Sequence, residues 1–202
     1  MPISVTPIYT NIWQGPARVF INVDLPASGA RLPIDINGLP DTSTGQNANA
    51  LWLGTTKAGS KFTATQDVAT FEVDESPIPF RNTPTKESCQ LEGDFAELLD
   101  MAKLLKLLPN SLHSTGVGPP AYDQITAGGL LTFTTMPVAM IGPTIADPTK
   151  FAVLQIYSAY SAGGLVMDIQ RKQPNFSPFK FMGQGVSGRT AGDQLWTFWK
   201  QT

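Results

Sequence analysis

The sequence predicts a mainly β fold, with a sandwich or barrel-like core and one flanking α-helix. Three observations support this prediction. Apolar and polar residues alternate with a period of two through much of the chain, as they do in half-buried strands. The chain contains 18 glycines and 17 prolines, which supply turns at short spacing. Its 202 residues show no abrupt change of composition, so we expect residues 1–202 to form a single domain.

Strand-like segments recur along the whole chain. In the first of them, residues 17–25, the apolar Val19, Ile21 and Val23 alternate with polar or mixed neighbours. The spacing predicts roughly nine or ten strands, which is typical of a sandwich or barrel. The other predicted strands are 50–56, 61–65, 68–74, 86–95, 128–136, 150–160, 164–172, 178–183 and 193–201.

One helix is expected at about residues 95–108. Asp94 suits the N-cap position, and Glu97 follows three residues later as in a capping box. Pro109 is expected to end the helix. A wide apolar face predicts that the helix lies against a sheet. The predicted apolar face is Leu98, Leu99, Met101, Ala102, Leu105 and Leu108, and the predicted solvent-facing stripe is Glu97, Asp100, Lys103 and Lys106.

Two stretches with little hydrophobic content are expected to be long loops. Residues 26–49 are predicted to form an extended loop early in the chain, and residues 109–129 a second long loop. Loops of this length inside a compact domain are usually functional or disordered.

Charge is sparse and unevenly distributed. Charged residues make up 15% of the chain, against about 25% in an average domain, and the net charge is −2. These values disfavour a tight nucleic-acid binder. Residues 67–100 are mostly acidic and residues 150–202 mostly basic, so copies of the chain can attract one another head-to-tail if these segments lie on complementary faces.

Residues suited to catalysis are few. His113 is the single histidine and Cys89 the single cysteine, so no disulfide can form within the chain. Cys89 falls on the apolar side of an alternating strand, where a free cysteine acts as a small hydrophobe. Asp74 and Glu75 are adjacent and would point to opposite faces of a strand, so they do not converge on one substrate atom. We therefore expect no catalytic site, no metal and no cofactor.

Targeting signals are also lacking in the sequence. Residues 1–13 have neither the basic nor the apolar region of a signal peptide. No apolar run reaches the length of a membrane span. We expect a chain synthesised in a reducing cytoplasm, with no membrane partner.

Four segments together resemble the major tail tube proteins of long-tailed bacteriophages. They are "LWLGTTKAGSKFTAT", the acidic corner "FEVDESPIPF", the strand "TKESCQLEGDF" running into a helix, and "KFAVLQIYSAYSAGGLVMDIQRKQPNFSPFKFMG". The resemblance spans residues 51–202 and rests on the order and character of these segments rather than on an invariant motif.

The resemblance implies a structural virion protein that is not an enzyme. Tail tube subunits form rings, commonly hexameric, that stack into a hollow conduit through which double-stranded DNA passes without specific binding. The implied partners are other copies of the chain and the terminator, tape measure and distal tail proteins. The implied locations are the virion tail and, during assembly, the host cytoplasm. The early loop 26–49 would reach the next ring, and acids such as Glu87 and Glu92 would line the lumen.

Subunit contacts are expected at charged and rigid positions. Pro77 and Pro79 fix the backbone around the Asp74–Glu75 corner and deny hydrogen bonds to a neighbouring strand. That corner is therefore expected to meet a neighbouring subunit or the mouth of the lumen. The full set of predicted ring or stack contacts is Arg31, Asp35, Asp74, Glu75, Pro77, Pro79, Arg81, Arg171 and Lys172.

Three alternatives remain open from the sequence. The first is a tail terminator, distal tail or baseplate ring protein with the same core. The second is a carbohydrate-binding sandwich, which would need an exposed, coplanar platform built from Trp13, Trp52, Trp196 and Trp199. The third, ranked last, is a hydrolase that uses the acidic pair.

Overall fold

A computed structural model of the chain describes residues 13, 15–43, 45–73, 76–108, 110–129, 133–167 and 175–202. It confirms a mainly β fold with one helix, α1 (Met101–Leu107). The strands are β1 (Arg18–Ile21), β2 (Leu51–Trp52), β3 (Thr56–Val73), β4 (Ser76–Phe95), β5 (Ser111–Gly116), β6 (Tyr122–Ala127), β7 (Met136–Pro143), β8 (Phe151–Ser161), β9 (Ser177–Gly183) and β10 (Trp196–Lys200).

Eight of these strands form one antiparallel sheet, and β5 and β6 form a separate hairpin. The order along the large sheet is β2-β1-β7-β8-β9-β4-β3. Strand β8 is a branch point, because β7 pairs along one of its edges while β10 and β9 share the other. β10 pairs with residues 152–156 of β8, and β9 pairs with residues 159–161. The sheet therefore forks beyond β8.

The main core lies between the two halves of this sheet, β2-β1-β7 on one side of β8 and β9-β4-β3 on the other. Val19 of β1 and Leu154 of β8 belong to the same buried cluster as Leu91 of β4 and Phe181 of β9. Since strands from distant parts of the sheet share one cluster, the sheet curls over to enclose it. Leu104 of α1 adds to the same cluster. This arrangement agrees with the sandwich-like core that the alternating pattern predicts.

The opposite face of β1, β7 and β8 is covered by the early loop. Phe20, Ile141 and Val153 alternate with the main-core residues and form a second, smaller cluster with Leu32 of the loop. Leu32 is fully buried. The described residues of 26–49 form no regular strand, as predicted, and they pack back onto their own sheet through Leu32 and Ile34.

The helix is shorter than expected and begins later. Asp94 is not its N-cap, because residues 90–95 of β4 pair with β9 and Asp94 lies opposite Pro178. Asp100 caps the helix instead and accepts hydrogen bonds from the backbone N–H groups of Ala102 and Lys103. The helix ends at Leu107. Among the described residues it is the one helix, and it is too short to cross a membrane.

Three residues of the helical region lie on the opposite side from the predicted one. Lys103, expected in the solvent stripe, is buried, while Leu99 and Ala102, expected in the apolar face, are exposed, Leu99 at 88%. Leu99 precedes the first helical turn, so helical periodicity does not govern its direction. The Lys103 ammonium pairs with Glu97 and with Asp100, which compensates for its burial.

Several predicted strand boundaries were also wrong. The predicted strand 50–56 contains the short strand β2, whereas the predicted strands 61–65 and 68–74, the latter as far as Val73, belong to one long strand, β3, which bulges rather than turns. Of the described residues in the predicted strand 128–136, only Met136 lies in a strand, β7. The sequence does not predict the rest of β7, because prolines lie near both of its ends. The expected second loop, 109–129, contains the β5–β6 hairpin. Residues 168–172 of the predicted strand 164–172 lie outside the described residues.

Candidate assembly surfaces

The β3–β4 hairpin continues far beyond the sheet as a two-stranded ribbon. β4 pairs with β9 only from Gln90 to Phe95, whereas β3 and β4 stay paired as far as Val73 and Ser76. Over residues 64–73 the ribbon is about 30 Å long at the usual rise per residue. All side chains of residues 64–70 and 82–87 are exposed.

Such a ribbon is unfavourable in a chain that stays monomeric. A two-stranded hairpin is at best marginally stable in water without a third strand or a packed face. Among the described residues no further strand pairs with its outer edges, so their backbone N–H and C=O groups are available to other strands. Local side-chain bonds hold the ribbon together, such as that between the Thr65 and Ser88 hydroxyls at 2.7 Å. The ribbon is therefore a candidate contact surface.

The two faces of the ribbon carry different groups. On one face, Gln66 donates a hydrogen bond to Glu87 at 3.0 Å. On the other face, Lys61 pairs with Glu92 at 3.4 Å. Glu87 and Glu92 are five residues apart on a continuous register, so they point to opposite faces. One wall of a lumen cannot contain both of these acids from the same copy.

An open groove separates the base of the ribbon from β10. We call it the β10 groove, and its volume is about 1070 Å³. Glu87 is the one charged side chain among the described residues that line it. Its aromatic and aliphatic lining comprises Trp13, Phe62, Met140, Leu154, Trp196 and Phe198.

The aromatic rings of the β10 groove pack against each other but remain accessible. The rings of Phe62 and Trp196 meet edge to face with centroids 5.3 Å apart, and those of Trp13 and Phe198 lie 5.5 Å apart. Trp196 is 38% exposed and Phe198 47% exposed. The last strand thus has one face in the groove, while Trp199 on its other face packs on the smaller core cluster.

A second apolar surface lies near β2, the opposite end of the sheet from β3. We call it the β2 pocket, with a volume of about 440 Å³. Arg18 is the one charged residue among the described residues lining it. Trp52 is 43% and Leu39 36% exposed there. Its other lining residues include Phe20, Pro40 and Ala50.

The four tryptophans do not form one platform. Trp13 and Trp196 line the β10 groove, Trp52 lines the β2 pocket, and Trp199 lies on the other face of β10. Within the groove the contacting aromatic pairs are inclined by 38° and 64° rather than coplanar. The geometry required for the carbohydrate-binding alternative is therefore not provided by these four residues.

A polar cluster around the buried Arg189 and Tyr157 joins the early loop to the C-terminal segment. Arg189 donates to the backbone oxygen of Pro26 at 2.6 Å and to the Asp193 carboxylate at 2.9 Å. Asp193 accepts further hydrogen bonds from the Tyr157 hydroxyl and from the Ser28 hydroxyl, the latter at 2.8 Å. The hydrogen bond from Tyr157 is the main cause that holds the pKa of Asp193 well below its usual range.

The predicted contacts Arg31 and Asp35 lie on the surface of this loop. The Arg31 guanidinium carbon is 5.7 Å from the Trp199 ring centroid. The Asp35 carboxylate accepts hydrogen bonds from the backbone N–H groups of Asn37 and Leu39, each at 2.8 Å, and so shapes its own turn. The role of both residues in assembly stays a prediction.

The remaining predicted contacts lie either outside the described residues or near the tip of the β3–β4 ribbon. Asp74, Glu75, Arg171 and Lys172 lie outside the described residues. Strand β4 includes Pro77, Pro79 and Arg81, for which the backbone is described; Arg81 pairs with Phe71. The contact role of all seven stays a prediction.

The single cysteine and the single histidine lie on different elements, Cys89 on β4 and His113 on β5. Cys89 is buried, and desolvation raises its pKa to about 11, so the thiol stays protonated. His113 lies on the β5–β6 hairpin, with Nε2 3.6 Å from a carboxylate oxygen of Asp123. Within the described ranges, no group of three or more His, Cys, Asp or Glu side chains is placed to hold a metal ion.

Sequence reasoning missed both the β10 groove and the β2 pocket as sites. The sequence did carry one signal, the run "LWTFWK", which places aromatics on both faces of the last strand. A scan against models of protein families finds no match to the chain, and a search of curated proteins finds no significant match either.

Proposed function

We propose that the chain is a structural subunit that self-assembles into stacked rings, as in the major tail tube of long-tailed bacteriophages. The observation that supports this proposal most directly is the β3–β4 ribbon, which extends about 30 Å beyond the sheet. Its described residues are largely exposed, and no further described strand pairs with its edges. Other copies of the chain would cover these edges. Rings of the family that the sequence resembles are commonly hexameric, and the hollow tube would conduct double-stranded DNA.

Three further observations support assembly over catalysis. The β10 groove and the β2 pocket expose aromatic side chains of the kind enriched in protein interfaces. Charged residues are few, which suits a surface largely covered by neighbours. The thiol of Cys89 is buried and protonated, which disfavours a nucleophilic role.

The ribbon also fits a wall that DNA passes without sticking. Over residues 64–70 and 82–88 its charged side chains are Asp67, Lys86 and Glu87, so this part presents no basic surface of the kind that binds phosphates. We propose that one face of the ribbon contributes to the inner wall. The acids Glu87 and Glu92 would then divide between the inner wall and a subunit contact, because they lie on opposite faces.

The test is direct observation of the purified full-length chain by negative-stain electron microscopy, together with sedimentation velocity over a range of concentrations. We expect rings or hollow tubes with a central bore, and species far larger than the 21.7 kDa monomer. A chain that remains monomeric at every concentration, and after addition of kosmotropic salt, would contradict the proposal. Addition of double-stranded DNA at physiological salt is expected to leave sedimentation unchanged.

A further inference from the structure

The β10 groove and the β2 pocket have matching chemistry. Each combines exposed aromatic rings with a few uncharged polar residues, and each has a single charged residue among the described residues that line it. The charge is Glu87 in the groove and Arg18 in the pocket. Opposite charges set among aromatic and polar side chains suit two complementary halves of one interface.

The placement of the two surfaces also suits a contact between copies. The groove lies between β10 and the β3–β4 end of the sheet, and residues of β7 and β8 also line it. The pocket lies at the opposite end of the sheet, where β1, β2 and residues between 39 and 50 line it. A contact that joins two different surfaces of the same chain is heterologous. It leaves one unused surface of each kind on every pair, so that copies keep adding until a ring closes, or along an open filament if the rotation does not close.

Both charged groups lie on the side of their strand that such a contact would use. Glu87 accepts the hydrogen bond from Gln66, which fixes its carboxylate on the groove side of the ribbon. Arg18 lies on β1 in register with Ile141 of β7, and its side chain is exposed. Phe20, two residues along β1, is on the same side of the sheet and lies in the pocket.

We propose that the β2 pocket of one copy docks against the β10 groove of a second copy, with Arg18 of one copy facing Glu87 of the other. Trp52 and Leu39 supply the exposed apolar surface on one side, and Trp196 and Phe198 supply it on the other. This inference rests on the proposed function, because it names the contact through which copies associate within an assembly.

Charge reversal tests the contact sharply. Arg18→Glu and Glu87→Arg each place like charges opposite one another, and each is expected to raise the protein concentration at half-assembly by roughly tenfold or more. The double variant, which carries both substitutions, restores an opposite pair in every contact and is expected to assemble close to the wild-type concentration. Sedimentation velocity measures all three.

Mixing the two single variants gives an independent readout. In an equimolar mixture, position 18 of the Arg18→Glu variant can meet position 87 of the Glu87→Arg variant, which again brings opposite charges together. The following contact joins the unchanged Arg18 of the second variant to the unchanged Glu87 of the first. The mixture is therefore expected to assemble at concentrations where neither variant does so alone. Lys106→Glu is the matched control, since this exposed lysine lines neither surface, and it is expected to assemble normally.

The outcomes separate this inference from the proposed function. If the wild-type chain assembles and both reversals assemble equally well, the docking contact is wrong and the proposed function stands. The contact is also wrong if the double variant and the mixture remain unassembled while urea denaturation shows that all chains are folded. If the charge pattern is obeyed but microscopy shows neither rings nor tubes, the contact stands and the proposed function fails. A wild-type chain that never associates overturns both.

Discussion

The guanidinium carbon of Arg189 lies 3.8 Å from the centroid of the Tyr157 ring. The same guanidinium donates hydrogen bonds to the backbone oxygens of Pro26 and Asp193. One side chain therefore joins the early loop, strand β8 and the segment before β10. It anchors the loop that covers the smaller core cluster.

Replacing Arg189 is expected to loosen the early loop. Arg189→Ala removes the cationic partner of the Asp193 carboxylate, which keeps its bonds from Tyr157 and Ser28, and the donor to the Pro26 oxygen, and we expect a loss of about 3 kcal/mol in the free energy of unfolding. Arg189→Lys keeps the charge but cannot reproduce the forked donor geometry, so we expect an intermediate loss. Urea denaturation followed by tryptophan fluorescence measures both. Equal stability of the alanine variant and the wild type would refute the anchoring role.

Asp193 predicts a pH dependence of stability. Its pKa is depressed in the folded chain, mainly by the Tyr157 hydroxyl, so the ionised form is stabilised by folding. That contribution is fully present above the unfolded pKa of about 3.9 and is lost as pH falls toward the folded pKa. The free energy of unfolding of Asp193→Asn should therefore vary less between pH 5 and pH 3 than that of the wild type. Asp67→Asn, an exposed ribbon carboxylate, serves as the control.

Shortening the ribbon is expected to abolish assembly without unfolding the chain. Thr65 and Ser88 are cross-strand partners, so residues 66–87 can be replaced by Asn-Gly, a two-residue turn suited to a hairpin. The buried Leu91 and Phe95 of β4 are retained. We expect an unchanged Tm and no rings or tubes by electron microscopy. Tubes built from the shortened chain would show that the ribbon is dispensable.

Gly38 is expected to tolerate no side chain. Its φ is +69°, and a Cβ there would run into the ring of Phe151. Gly38→Ala therefore combines backbone strain with a clash, and we expect a loss of about 2 kcal/mol. Gly45→Ala is the matched control, because its φ is +77° but no atom lies within 4 Å of the added Cβ. Urea midpoints of the two variants should differ, with Gly38→Ala the lower.

Cys89 is expected to be unreactive in the folded chain. It is buried at 2% exposure, and burial raises its pKa to about 11, so little thiolate exists at pH 8. The rate of reaction with a disulfide reagent at pH 8 should be at least about a hundredfold below that in concentrated guanidinium chloride. Rapid labelling of the folded chain would place the thiol at the surface instead.

The elements that the sequence predicted well are those governed by local alternation. Val19 and Ile21 alternate with Phe20 as expected for β1, and β8, β9 and β10 fall within a few residues of their predicted positions. The elements that were wrong depend on distant partners. Aspartate is a residue type that suits a helix N-cap, but Asp94 pairs with Pro178 and stays in a strand. Lys103 reads as a surface residue, yet Glu97 and Asp100 pair with it where it is buried.

The candidate site shows the same division. The aromatic run ending in Trp199 indicated that both faces of the last strand contact something, and Glu87 was singled out as an acid of the lumen wall. That Glu87 and Trp196 line one groove follows from the fork of the sheet at β8. Arg18 was not singled out, since an arginine at the start of a strand carries no distinctive pattern.

The sequence by itself determined the class of fold, the paucity of charge and the scarcity of residue types used in catalysis, because alternation and composition are properties of neighbouring residues. Only the tertiary structure decided that β3 and β4 extend beyond the sheet and that the early loop folds back over β1 and β7. It also decided that two surfaces with exposed aromatic rings and opposite charges are accessible. These features arise from pairing between strands far apart in the chain, and the free energy of such pairing depends on the packed partners rather than on local propensity.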